Sequence, residues 1–166
     1  MGIIKKALDK ILAIVCTSLF AFLVVLVTWQ VFTRFVLNNP SVISEELAGY
    51  CFVWLVLFGA ALVFGEKGHM AVEFIKESFP EKMKIFVEIL IEAIIIAFIT
   101  LALIIGGYLI TDIAWNQLSA SLQIPVGYLY LGLPLSGIFT IFYCVYNIIN
   151  VIKGNKTDVV TAEGEK

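Results

Sequence analysis

The chain has 166 residues, 61% hydrophobic and 14% charged, with a formal net charge of −2, and its mean hydropathy is +1.01. Soluble domains run at roughly 45–50% apolar and about 25% charged, so this composition excludes a water-soluble fold and calls for lipid as the solvent. The length holds one small membrane domain, residues 1–166, with no room for a soluble catalytic module, and no basic tract points to nucleic acid.

The N-terminal arm carries Lys5, Lys6 and Lys10 ahead of 23 uncharged residues, Ile11 to Thr33. That run is longer than the roughly 7–15 residues of a signal-peptide core and lacks a small-residue exit, so it predicts a retained first span over 11–35. A turn from Pro40 to Ser44 follows, with Ser44 the expected N-cap of a second span over 46–65. Its 19 uncharged residues, Leu47 to Gly65, match a hydrocarbon core of about 30 Å. From His69 to Phe79, Glu73, Lys76 and Glu77 recur at helical spacing opposite Met70, Val72, Phe74 and Ile75, which predicts a short amphipathic helix lying in the interface. Ser78-Phe79-Pro80-Glu81 has the spacing of a capping box with Pro in the first turn, opening a third span over 81–112. Ile113 to Ile124 is uncharged but holds Trp115, Asn116, Gln117, Ser119, Ser121 and Gln123, the composition of an interfacial stretch. A fourth span over 126–151 follows Pro125, and the polar tail 154–166 is expected to be disordered.

The fold class is therefore all-α and integral to the membrane, with four transmembrane helices. Lys67, Lys76, Lys82 and Lys84 fall in the middle connection and Lys153, Lys156 and Lys166 in the tail, whereas Arg34 alone lies in the other two connections. Cationic segments are held on the cytoplasmic side, which predicts both termini and the middle connection there.

Enzymatic signatures are absent: one histidine, His69, cannot build a bis-histidine haem, and no phosphate loop or metal-ligand spacing occurs. Cys16, Cys51 and Cys144 sit apart in apolar stretches and read as packing residues. Polar groups in the spans carry the information, because each costs roughly 2.5–3.5 kcal/mol at mid-depth. Glu81, Lys84, Glu88 and Glu92 form one stripe on the third span. Glu88 and Glu92 could form a proton- or ion-coupling site, or pair with polar groups of a partner subunit or reach the headgroups. The structural reading is preferred, since a transport site draws ligands from several helices. Arg34 with Glu45 and Glu46, the carboxylates that open the second span, reads either as an interhelical ion pair with carboxylates suited to a positive helix end or as a docking surface for an extracytoplasmic partner; the two are compatible, the structural role is preferred for Arg34, and the carboxylates are left open between them.

Four stretches carry a family likeness: Trp29-Gln30-Val31-Phe32-Thr33-Arg34-Phe35; Ser44-Glu45-Glu46-Leu47 leading to Phe52-Val53-Trp54-Leu55 and Phe58-Gly59-Ala60-Ala61; Gly68-His69-Met70; and Ile124-Pro125-Val126-Gly127-Tyr128-Leu129-Tyr130 with Leu133-Pro134. In order and spacing the chain resembles the small membrane subunit, often called the Q subunit, of tripartite ATP-independent periplasmic (TRAP) transporters. The family commonly has a tryptophan shortly before the paired glutamates, where Ile43 stands here.

The resemblance implies a non-enzymatic scaffold in a bacterial inner membrane. Its partners would be a large multi-span subunit that moves an organic acid by a sodium-driven elevator motion, and a periplasmic binding protein that delivers it. It implies no cofactor in this chain, sodium coupling in the partner, and sialic acid or a C4-dicarboxylate as cargo. Candidate partner-interface or structural polar residues are Arg34, Glu45, Glu46, His69, Glu88, Glu92, Asp112, Trp115, Tyr128 and Tyr130. The competing readings are a homodimeric proton-coupled exporter using Glu92 and a haem or quinone anchor, the latter opposed by the lone histidine.

Overall fold

The computed structural model describes residues 2–65 and 81–164, with side chains over 3–65 and 83–152. In lipid every backbone N–H and C=O must be satisfied within the chain, so runs of Leu, Ile, Val, Phe and Ala become helices even where β-branched residues are frequent. The elements are α1 (Gly2–Phe35), α2 (Val42–Gly65), α3 (Glu81–Ile99), a π-helical segment (Thr100–Gly106), α4 (Gly107–Trp115), α5 (Gly127–Tyr130) and α6 (Gly132–Gly164). The described residues contain four stretches long and apolar enough to cross a membrane, Ile3–Phe35, Val42–Gly65, Met83–Trp115 and Gly127–Ile152. The third combines α3, the π segment and α4.

Hydroxyls inside these spans bond back to their own helix: Thr100 to the Ile96 carbonyl at 2.8 Å, Thr111 to Gly107 at 2.6 Å and Thr140 to Ser136 at 2.9 Å. Each such bond removes a polar group that lipid could not satisfy.

Several boundaries differ from the sequence expectation. α1 begins near Gly2, well before residue 11, because its polar first turns also suit a helix: Lys5 and Asp9 pair at i, i+4, 2.9 Å apart. α2 begins at Val42, and its cap is Ser41, not Ser44. Ser41 Oγ accepts from the Ser44 N–H at 3.5 Å, while the Ser44 hydroxyl turns back to the Ser41 carbonyl at 2.9 Å. α6 continues to Gly164, so the tail expected to be disordered from 154 has helical backbone; the end of the apolar run marks where a span ends, and no proline ends the helix there. The interfacial helix expected over 69–79, and His69 with it, lies outside the described residues.

α1 packs on α2, α2 on α6, and α6 on α3 and the π segment. The spans thus form a row with α6 inside it, not a closed bundle in which all four share one core. Burial agrees: 33% of the most apolar window of the fourth span is buried, against 6% in the first and third. The main cluster, Leu12, Phe58 and Tyr143, joins α1, α2 and α6 and is extended by Leu8, Trp54, Leu62 and Phe139. Gly65 permits it: a Cβ there would stand 2.6 Å from the Tyr143 ring.

Candidate functional site

Polar ties among the described residues fasten the row, and each joins segments remote in sequence. At one end Glu46, in the first turns of α2, reaches the connection between α4 and α5. Its Oε2 accepts the backbone N–H groups of Ser121 at 2.8 Å and Leu122 at 3.1 Å. The connection is itself ordered. Leu118 and Pro125 face each other in an antiparallel bridge, with Ser119 N–H on the Ile124 carbonyl at 2.9 Å and Val126 N–H on Gln117 at 2.8 Å. Gln123 takes a left-handed φ of 55° at the tip, and its amide donates to the Ser119 and Ala120 carbonyls. Trp54 Nε1 donates to the Tyr128 carbonyl at 3.2 Å, and the Trp115 and Tyr128 rings lie 5.2 Å apart. Charge-assisted bonds to two backbone donors thus join Glu46 to this connection.

Deeper in the row, Glu92 on α3 is buried and accepts from Asn147 Nδ2 of α6 at 3.2 Å. The Cys144 thiol, one turn away on α6, adjoins the same carboxyl. At the far end, Asp9 of α1 accepts the Tyr143 hydroxyl at 2.7 Å and holds Lys5, whose ammonium lies 5.8 Å from the Tyr143 ring centre and 5.9 Å from that of Tyr146. Between α2 and α3, over the Ser136 and Thr140 turn of α6, runs an apolar groove of about 420 Å³ lined by residues such as Leu57, Phe64, Ile95 and Phe98.

The family described as "Tripartite ATP-independent periplasmic transporters, DctQ component" matches residues 23–154. The chain belongs to this family. The sialic acid TRAP transporter small permease protein SiaQ of Vibrio cholerae is 29% identical over 153 residues, covering 92% of this chain and 88% of its own length. A putative TRAP transporter small permease protein of Haemophilus influenzae is 29% identical over 153 residues, covering 87% of this chain and 89% of its own. The sialic acid TRAP transporter permease protein SiaT of H. influenzae is 25% identical over 113 residues, 68% of this chain but 18% of that protein. The chain is accordingly a small permease subunit of the TRAP class, and not an enzyme.

In this DctQ-family chain the structure redistributes several of the roles expected from sequence. Among the described residues no ion pair joins Arg34 to Glu45 or Glu46. Arg34 is exposed, its guanidinium 5.9 Å from the Phe35 ring centre, while the Glu46 carboxylate faces backbone donors of another loop. An exposed arginine keeps its hydration there, and a surface pair would gain little. Glu45 is exposed, Glu88 half-buried and Tyr130 half-buried in α5. Glu92 finds a partner inside the chain, where one outside it was expected. Asp112 and Trp115 share the wall of a small pocket, and the Tyr128 ring lies tilted at 42° against that of Trp115. Among the described residues no group of three metal-ligating side chains converges.

Asp9, Ser121, Tyr143 and Asn147 were missed. Asn147 had a signal, a carboxamide in an apolar span, which is costly in lipid unless it is paired across helices. Ser121 had none, because its contribution is a backbone N–H.

Proposed function

We propose that the chain is the stationary subunit of a sodium-driven TRAP importer for an organic acid, sialic acid or a C4-dicarboxylate, delivered by a periplasmic binding protein. In this reading it lies in a bacterial inner membrane with both termini in the cytoplasm and binds neither substrate nor cofactor. It widens and holds the immobile part of a large elevator-type permease, and the end tied by Glu46 faces the loaded binding protein.

The supporting observation is the row of spans whose polar side chains bond to one another, Glu92 to Asn147 and Asp9 to Tyr143, leaving broad apolar faces and, among the described residues, no chain of polar groups running from one end to the other. A pathway would need ligands converging from several helices, whereas a buttress needs rigid faces against which another membrane protein packs. The match to SiaT covers 18% of that permease, so in that relative a segment like this chain is joined to a much longer one. The likeness to SiaQ favours sialic acid among the cargoes.

A tagged chain is expected to co-purify with a larger multi-span membrane protein, and sodium-dependent uptake of sialic acid should fall to background without this chain. Uptake at the normal rate in its absence removes the reading. Proton-linked cation transport by the isolated chain in vesicles would favour the exporter instead, a role that the Glu92–Asn147 bond works against.

A further inference from the structure

We propose that the pocket beside Trp115, at the end of the third span, binds the ammonium of an ethanolamine phospholipid, with Asp112 as its acceptor and Tyr108 and Trp115 as aromatic walls. The pocket measures about 180 Å³ and is lined by Tyr108, Thr111, Asp112, Trp115, Leu131 and Pro134. It lies within one turn of the last residue of the span Met83–Trp115, the depth at which tryptophan marks the boundary of hydrocarbon and headgroups.

Asp112 is exposed, yet among the described residues it has neither an ion-pair nor a hydrogen-bond partner. No side chain of the lining bonds it: the Thr111 hydroxyl is committed to the Gly107 carbonyl at 2.6 Å, Leu131 and Pro134 bring no donor, and neither the Tyr108 hydroxyl nor the Trp115 indole N–H donates to it. The carboxylate is thus open to a cation from outside the chain. Tyr108 is 67% exposed and Trp115 44%, so ring surface is available to an ammonium, which the quadrupole of an aromatic face attracts.

The chemistry narrows the ligand. A lone carboxylate falls short of the six or so oxygens that a divalent ion gathers. An anionic headgroup would be repelled, and a choline group has no N–H to give the carboxylate. A primary ammonium satisfies both features at once. Its attachment to a lipid is argued from the surface below, where Leu109 and Ile105, one and two turns nearer mid-membrane, are 57% and 49% exposed and offer an apolar bed for acyl chains. The proposal needs only the chain in a bilayer, and so it stands or falls apart from the scaffold reading.

The test is native mass spectrometry of the full chain after reconstitution with equal amounts of phosphatidylethanolamine, phosphatidylglycerol and phosphatidylcholine. The wild-type chain should retain one ethanolamine lipid with a preference over choline lipid of about tenfold, the factor set by one charge-assisted hydrogen bond. Asp112→Asn, which keeps the size of an exposed side chain, should lose that preference with its thermal midpoint unchanged, and Tyr108→Leu should weaken it while the carboxylate remains. Equal retention of ethanolamine and choline lipids by the wild-type chain overturns the proposal, as does undiminished preference in a folded Asp112→Asn chain. Should Asp112→Asn not fold, undiminished preference in Tyr108→Leu overturns it. An Asp112→Asn chain that keeps its lipid but no longer co-purifies with a larger permease gives the carboxylate to a basic side chain of that subunit, and also overturns it.

Discussion

Glu92, Ile99, Gly107 and Ala114 are buried positions of the third span that lie seven, eight and seven residues apart, with Thr111 buried between the last two. At about 100° per residue, seven residues fall about 20° short of two turns, whereas eight overshoot by about 80°. A regular α-helix would therefore carry Gly107 and Ala114 about 60° away from the face set by Glu92 and Ile99. The π segment Thr100–Gly106, none of whose residues is buried, absorbs the surplus residue and restores the face. Deleting Leu101, which is 67% exposed, should thus convert the segment to plain α-helix with both halves in register, and shift stability by no more than about 1 kcal/mol. Deleting Ile110 instead swings Thr111 and Ala114 about 100° off α6 and pulls Trp115 from Gly127, where a Cβ would stand 2.5 Å from the indole. By analogy with emptied core sites that should cost about 2–5 kcal/mol. Thermal unfolding in detergent distinguishes the two, the second deletion lowering the midpoint by at least about 5 °C. Equal damage from both, or greater damage from the Leu101 deletion, would refute the register argument.

Glu46→Ala should release the connection between the third and fourth spans, seen as faster hydrogen exchange at the Ser121 and Leu122 amides; unchanged exchange there would mean that the carboxylate is not the anchor. A double-mutant cycle on Glu92→Leu and Asn147→Leu should return a coupling of about 0.6 kcal/mol and no more than about 1.7, with the double variant more stable than the sum of the single losses allows; additivity would remove the tie.

The four spans were legible because charge is excluded from hydrocarbon, and the uncharged runs up to Thr33, from Leu47 and from Ala93 announce it directly. Helix ends were less legible, since a helix does not stop where apolarity stops: α1 starts within the lysine-rich arm and α6 runs on to Gly164. Side-chain partners were least legible. Arg34 and Glu46 flank one short turn and carry opposite charges, which is a sound reason to pair them, yet the backbone donors of Ser121 and Leu122 lie closer in space across some 75 residues of chain. Glu92 read as a group in search of another protein because a stripe seen on one helix says nothing about which neighbour lies opposite. The resemblance to TRAP small subunits rested on motif order, and the family match over 23–154 agrees with it.

Composition and hydropathy by themselves determined that this protein is helical, lipid-solvated and four times membrane-crossing in length, because the transfer of charges and of backbone polar groups into hydrocarbon is a large one-residue energy that needs no knowledge of neighbours. Only the tertiary structure decided that the spans stand in a row around α6, that Glu46, Glu92 and Asp9 are spent on internal ties, and that Asp112 is left without one. Those outcomes depend on which faces meet, and the π segment in the third span shows how one extra residue can reassign a face while the hydropathy profile stays the same.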